Sequence, residues 1–292
     1  MCFMHSPLVQ VPQCARCQSQ KVRDVSMTKL QQNIKPQTEK RQVIFALPAF
    51  NEADNLPNVL AGLNTAGVMS HALGFTHRFV VVDDGSSDST IDVLREWQGY
   101  VDLEILRHQR NLGLGATIQD ALAKAVSISR ENDVVVTLDA DGTHPAGLTF
   151  TMLLKIVEGC DVVIASRYRY GARVLGLHWH RHLMSVCAAL LFKLLLPIPA
   201  VRDYTCGFRA YKAGLLARSF EFWQGKLVTQ QGFQCMPEII LRLRRADPHA
   251  VFGEVPMVLR YYRKKGKSKM RVIRTVLGSL KLVLIYRFGM VS

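Results

Sequence analysis

The segment "DVVVTLDADGTHPAG", Asp133 to Gly147, constrains the fold more than any other: five nearly unbroken apolar residues, Val134 to Leu138, run into Asp139 and Asp141. A strand that is apolar at every position, not every second one, must be covered on both faces, as in a parallel sheet flanked by helices. The pattern recurs along the chain. "QVIFALPAF" reads as a strand, and "NEADNLPNVLAGLNTAG" as a helix entered through Asn51 or Asp54 and closed by Gly67. "RFVVVDDGSSDSTIDVLREW" gives a strand, an acidic turn and a helix capped by Ser87 or Asp88. "VDLEILRH" is a third strand, "NLGLGATIQDALAKAVSISR" a Gly-rich turn into a helix, and "DVVVTLDAD" the fourth strand; helix "PAGLTFTMLLKIVEG" and strand "DVVIASRY" follow. This alternation predicts an open, mostly parallel α/β sheet of the Rossmann-like, nucleotide-binding kind.

Ligands of such sheets bind beyond the carboxyl ends of the strands. The loops expected on that edge are "PAFNE" (48–52), "DDGSSD" (83–88), "RNLGLGAT" (110–117), "DADGTH" (139–144) and "SRYRYG" (166–171). No GxGxxG follows the first strand and no GxxxxGK[ST] occurs, which disfavours a dehydrogenase and a P-loop nucleotidase. Asp139 and Asp141 project to the same side of an extended chain. Hard oxygen ligands of this type suit Mg²⁺ or Mn²⁺, which take their remaining ligands from substrate phosphates and water. The pair therefore points to the pyrophosphate of a nucleoside diphosphate; the competing reading is that one aspartate caps the following helix.

The net charge of +14 suggests a nucleic-acid partner until its distribution is considered. Residues 1–41 carry seven Lys or Arg against two acids, and residues 260–292 carry ten against none, so positions 42–259 hold 20 basic and 21 acidic residues. A nearly neutral body with acidic strand-end loops argues against nucleic acid. The division expected is a disordered basic leader over 1–41, the α/β domain over 42–270, and a basic amphipathic helix over 271–292. The leader lacks the apolar run of a secretory signal, and Met27 is a second candidate start. The seven cysteines are scattered, and the single CxxC, Cys14 and Cys17, has no second ligand pair at zinc spacing, so a cytoplasmic protein is expected.

The segments "LPAFNEADNL", "VVVDDGSSDST", "NLGLGATIQDAL", "TLDADGTHP", "ASRY", "RDYTCGFRAY" and "GEVPMVLRYYRKKGKSK" together resemble the inverting, GT-A-fold glycosyltransferases of family 2. The branch they are similar to is that of the polyprenyl-phosphate (dolichyl-phosphate) mannosyl- and glucosyltransferases. The resemblance implies that Pro48, Phe50 and Glu52 line the nucleoside pocket, with Phe50 where the family more often has tyrosine. It places Asp83 and Asp84 at the base or ribose, Gly115 and Ala116 close to the nucleotide, and Asp139 and Asp141 at the metal and diphosphate. Thr143 stands where many relatives carry glutamine as a further metal ligand. Arg167, Arg181 and Ser185 match positions that bind the lipid phosphate, and Arg263 and Lys269 a segment that closes over the diphosphate. The implied donor is GDP-mannose first and UDP-glucose second, the implied acceptor a polyprenyl phosphate.

A phosphate acceptor also has a physical rationale. With a second pKa of about 6 it is largely dianionic at neutral pH and attacks the anomeric carbon without a general base. It needs positioning cations instead, and Arg181 and Ser185 lie four apart on one helix face. A hydroxyl acceptor on a glycan, lipid or protein demands a base; Glu238 is the candidate, its alternative being to orient a loop or pair with Arg242. An inactive nucleotide-binding partner protein is the remaining alternative, but it should lack an intact aspartate pair. No apolar stretch approaches the ~20 residues of a membrane span. "RVIRTVLGSLKLVLIYRFGMVS" instead interleaves Arg271, Arg274, Lys281 and Arg287 with bulky apolars, as in a helix lying on an anionic lipid surface. The helix from Trp179 to Leu196 is expected to dock similarly, with His178, His180 and His182 interfacial rather than metal-bound. A peripheral protein on the cytosolic membrane face follows, with room for a membrane-anchored partner subunit.

Overall fold

The computed structural model describes residues 40–177, 179–263 and 272–289, excluding the side chains of residues 179–184, 263 and 272–277. The first half realises the expected alternation: β1 (Arg41–Ala49), α1 (Leu56–Ser70), β2 (Phe75–Asp83), α2 (Thr90–Trp97), β3 (Leu103–Arg107), α3 (Leu114–Ser127), β4 (Val134–Thr137), α4 (Leu148–Val157) and β5 (Val162–Ser166). The second half adds β6 (Arg173–Leu175), α5 (Trp179–Leu195), β7 (Arg209–Lys212), α6 (Ala213–Phe222), α7 (Cys235–Ala246), β8 (Phe252–Pro256), β9 (Val258–Arg260) and α8 (Val272–Arg287).

Among the described residues, seven strands form one sheet in the order β3-β2-β1-β4-β7-β5-β8, and β6 pairs with β9 apart from it. Val43–Leu47, Val80–Val82, Val134–Val136 and Val162–Ala165 are fully buried, as strands covered on both faces must be. β1, β2, β3 and β4 are parallel, whereas β7 runs antiparallel to both β4 and β5. β5 therefore points the same way as β4, and the carboxyl ends of β1 to β5 share one edge. The reversed β7 brings its amino end to that edge: Thr137 Oγ1 donates to Gly207 O at 2.8 Å.

One expected helix boundary differs. α1 does not stop at Gly67 but continues to Ser70. A Cβ on Gly67 would lie 2.3 Å from the His77 ring, so this glycine permits a close crossing of α1 over β2. Among the described residues no helix is long and apolar enough to cross a membrane.

Candidate active site

The first two strand-end loops are zipped together. Asp84 N donates to Ala49 O (2.8 Å), Asn51 N to Ser86 Oγ (2.9 Å), Ser87 N to Asn51 Oδ1 (2.8 Å) and Glu52 N to Thr90 Oγ1 (2.9 Å). Asn51 pays for this geometry with a left-handed φ of 51°, a conformation Asn tolerates better than most residues. Pro48 and Phe50 are half-buried beside this seam, and Glu52 is buried, its Oε2 accepting from Asn55 Nδ2 at 2.7 Å.

Asp83 and Asp84 end β2 buried, and their hydrogen bonds run inward. Asp83 Oδ1 accepts from Ser86 N (3.0 Å), and Arg107 Nε stands 3.2 Å from Oδ2. Asp84 grips the Gly-rich turn, accepting from Leu112 N (2.8 Å) and Gly113 N (3.0 Å), and also meets His108 Nδ1 at 2.7 Å. The other ring nitrogen of His108 lies 2.9 Å from Asp120 Oδ2 on α3. Gly115 opens α3 against a neighbouring loop: its N–H donates to Gln231 O (3.0 Å), and a Cβ there would fall 1.7 Å from Gln230 O. The absence of a side chain at Gly115 is thus explained in part by contact with the chain itself, and the adjoining Ala116 is half-buried.

His108 was not singled out by its sequence context, yet it braces the Gly-rich turn through Asp84. Burial disfavours its proton, but the hydrogen bonds and charges of Asp84 and Asp120 outweigh this and raise its pKa above the ordinary value. The imidazolium donates to both carboxylates; the neutral ring donates to one only. A raised folded pKa contributes stability that is complete below the unfolded value of about 6.5 and is lost as pH rises through the folded value. Thermal unfolding midpoints should therefore fall with pH above that range more steeply in the wild type than in His108→Gln; equal slopes would exclude the brace.

After β4, Asp139 is half-buried and Asp141 buried. Asp141 Oδ1 accepts from both Thr143 N (3.1 Å) and Thr143 Oγ1 (2.7 Å). The Thr143 hydroxyl is thus turned onto the carboxylate of its own loop, that of an aspartate expected to hold the metal. The loop is also tied to β9, Arg260 N donating to Thr143 O at 3.1 Å. Gly207 lies against the pair, since a Cβ there would stand 3.3 Å from Asp139 Oδ1.

Arg167, just beyond β5, forms a two-pronged pair with fully buried Asp203: Nε to Oδ2 at 2.8 Å and Nη2 to Oδ1 at 2.7 Å, with Nη2 also donating to Thr205 Oγ1 at 2.6 Å. Burial works against both charges, but each holds the other ionised, raising the arginine's pKa and lowering the aspartate's. Asp203 lay within a quoted motif, "RDYTCGFRAY", without a role; its partner Arg167 is too distant in sequence for the motif to announce the pair. Only the Nη1 side of Arg167 stands outside the pair, and next to it Tyr168 Oη lies 2.7 Å from Ser185 Oγ on α5. Glu254 of β8 fixes the Asp203 loop by accepting from Arg202 N (2.6 Å) and Asp203 N (2.8 Å).

Glu238 has the loop-orienting geometry rather than that of an accessible base. It is 1% exposed, accepts from Thr229 N and Gln230 N at 2.9 Å each and from the Thr229 hydroxyl, and lies 3.5 Å from Arg242 Nε. The side chains of Arg181 and Arg263, and the whole of Lys269, lie outside the described residues.

The profile of Glycosyl transferase family 2 matches residues 45–220, more than half of the chain. The chain belongs to this family. A family relative, the dolichol-phosphate mannosyltransferase of Pyrococcus furiosus, is 27% identical over 231 residues, which cover 79% of this chain and 59% of that protein. The undecaprenyl-phosphate mannosyltransferase of Micrococcus luteus is 30% identical over 236 residues, covering 78% of this chain and 87% of that one. The chain thus spans less than two thirds of the Pyrococcus protein and most of the Micrococcus one. Glucosyl-3-phosphoglycerate synthase from Mycobacterium tuberculosis shares the fold, with a TM-score of 0.58 at 18% identity over 86% of this chain and 81% of that one. The architecture is the GT-A fold of family 2.

Asp139 and Asp141 fit a divalent ion held jointly with a ligand. Among the described residues no three His, Cys, Asp or Glu side chains converge as a self-sufficient metal cluster. The two carboxylates are an oxygen set, which suits Mg²⁺ or Mn²⁺ completed by phosphate and water; the neighbouring His144 Nδ1 faces the Asp139 N–H at 3.3 Å.

Proposed function

We propose that this family 2 chain transfers a hexose, mannose in the first instance, with inversion from a nucleoside diphosphate sugar to a polyprenyl phosphate. The observation that carries the acceptor class is the state of Glu238: its carboxylate is committed to Thr229, Gln230 and Arg242, which leaves a hydroxyl acceptor without its candidate base. A phosphate monoester brings its own nucleophilic oxygen. The names of the Pyrococcus and Micrococcus relatives support the same acceptor and sugar.

In this reading the zipped β1 and β2 loops and the Gly-rich turn hold the nucleoside, GDP before UDP. Asp139 and Asp141 hold the diphosphate through Mg²⁺ or Mn²⁺; when bound, that ion neutralises charge developing on the departing nucleoside diphosphate. Arg167, kept ionised and fixed in direction by Asp203, offers its Nη1 side to the acceptor phosphate beside Ser185, with Arg181 as a second cation. Arg263 and Lys269 close over the diphosphate and exclude water. The prenyl chain runs along α5 and α8. These helices carry exposed Leu190, Leu194, Leu280 and Leu284 next to Lys193, Lys281 and Arg287, with exposed Phe288 just beyond α8, a composition suited to an anionic membrane surface.

The base-free chemistry has a direct test. At saturating donor, Glu238→Gln should keep turnover within about tenfold of wild type, because loss of a true general base costs about 10²–10⁴. A collapse of that larger size, in a variant that remains folded, would favour the hydroxyl-acceptor alternative.

A further inference from the structure

Glu238, Arg242 and Tyr286 lie outside the strand-end loops, yet an unbroken chain of contacts joins them to the donor side. Arg242, on α7, donates from Nε to Tyr286 Oη on α8 at 3.2 Å and from Nη1 to Lys226 O at 2.6 Å. Its guanidinium also lies over the Trp223 ring, 4.2 Å from the centroid. Held on three sides, it stands against Glu238 at 3.5 Å. Glu238 in turn fixes the backbone of Thr229 and Gln230, and the next residue, Gln231, accepts the N–H of Gly115 at 3.0 Å. The opposite side of the same Gly-rich turn is gripped by Asp84 through Gly113 N.

The turn is therefore clamped between Asp84 and a loop whose place is set by one buried carboxylate. That carboxylate's charged neighbour is Arg242, and Arg242 is completed by a hydroxyl on the C-terminal helix. A loop contact this close transmits displacement directly, because no Cβ separates Gly115 from the Gln230 carbonyl. α8 also closes tightly on the start of α7, since a Cβ on Gly278 would lie 3.0 Å from Gln234 Nε2.

We propose that Glu238 and Arg242 are positioning residues for the nucleotide-sugar donor, holding the Gly-rich turn through the 229–231 loop, and that α8 acts on the donor site through Tyr286. None of the three is a catalytic residue; each acts through another. The inference rests on the proposed reading of this edge as the nucleotide site. It goes beyond that reading in making donor affinity depend on a helix assigned to the lipid side.

The test is titration of the full chain and its variants with GDP and with UDP in the presence of Mn²⁺, together with steady-state kinetics and melting curves. Tyr286→Phe removes one hydrogen bond to a charged group and should weaken nucleotide binding about three- to tenfold. Acceptor KM and turnover at saturating donor should be unchanged, although Tyr286 lies on the C-terminal helix. Glu238→Gln should weaken nucleotide binding more, and the double variant should show less than the product of the two effects, because both act on one clamp. Nucleotide affinity equal to wild type in a folded Tyr286→Phe variant, or an effect confined to acceptor KM, overturns the inference. Failure of the wild-type chain to bind either nucleotide would instead remove the donor-site reading and this inference with it.

Discussion

Asp141→Ala is expected to lower sugar transfer by about a hundred- to a thousandfold or more, the cost of removing one fixed electrostatic partner from a transition state. Asp141 is 7% exposed and sits in the turn four residues beyond β4, where its carboxylate is held in direction by Thr143. It has two separable duties. One is the turn, where Oδ1 receives the N–H and hydroxyl of Thr143; the other, in the proposed reading, is the metal-held diphosphate. Asp141→Asn keeps an oxygen for Thr143 but removes the charge. Loss of activity of similar size in both variants, with melting temperature kept in the Asn form, is the expected result. Full activity in Asp141→Asn would show that the carboxylate serves only the turn.

Asp203→Ala is expected to have the largest effect on stability. The residue is fully buried and receives two guanidinium nitrogens of Arg167 as well as the N–H groups of Arg167, Thr205 and Cys206. Removing one partner of a buried pair strands the other, at a cost of about 3–5 kcal/mol, which for a domain of this size lowers the melting temperature by about 10 °C. The pair also sets a pH dependence. Burial raises the Asp203 pKa, but Arg167 more than offsets it, and the folded value lies below the ordinary one. Such a group stabilises fully above its unfolded value of about 3.9 and loses that contribution as pH falls through the folded value. Wild type should therefore lose stability on acidification more steeply than Asp203→Ala. A variant melting within a degree or two of wild type would refute a structural role for the pair.

The strands of the first half were legible because uniform apolarity is a local property: Val80–Val82 and Val134–Val136 announce burial on both faces whatever lies next to them. The edge that collects the loops followed from strand direction alone. The antiparallel insertion of β7 was not legible, since "FRAYK" encodes neither its partner strands nor its direction. Contacts between distant residues escaped for the same reason. Arg167 finds Asp203 36 positions away, and His108 is a polar strand-end residue until Asp84 and Asp120 are placed on either side of it. Gly67 and Gly115 looked like a helix stop and a turn signal; the structure makes each a point where another part of the chain comes too near for a Cβ. Thr143 stands in the expected loop, and its hydroxyl donates to Asp141, a contact that its position alone does not specify.

The most direct test of the account is transfer itself. The purified full chain is incubated with Mn²⁺ and radiolabelled GDP-mannose or UDP-glucose, with and without polyprenyl phosphate, and the lipid phase is counted. The account predicts label in the lipid phase only when polyprenyl phosphate is present, with GDP-mannose the better donor. Label reaching a glycan, lipid or protein hydroxyl while none reaches the lipid phosphate from either donor would contradict it.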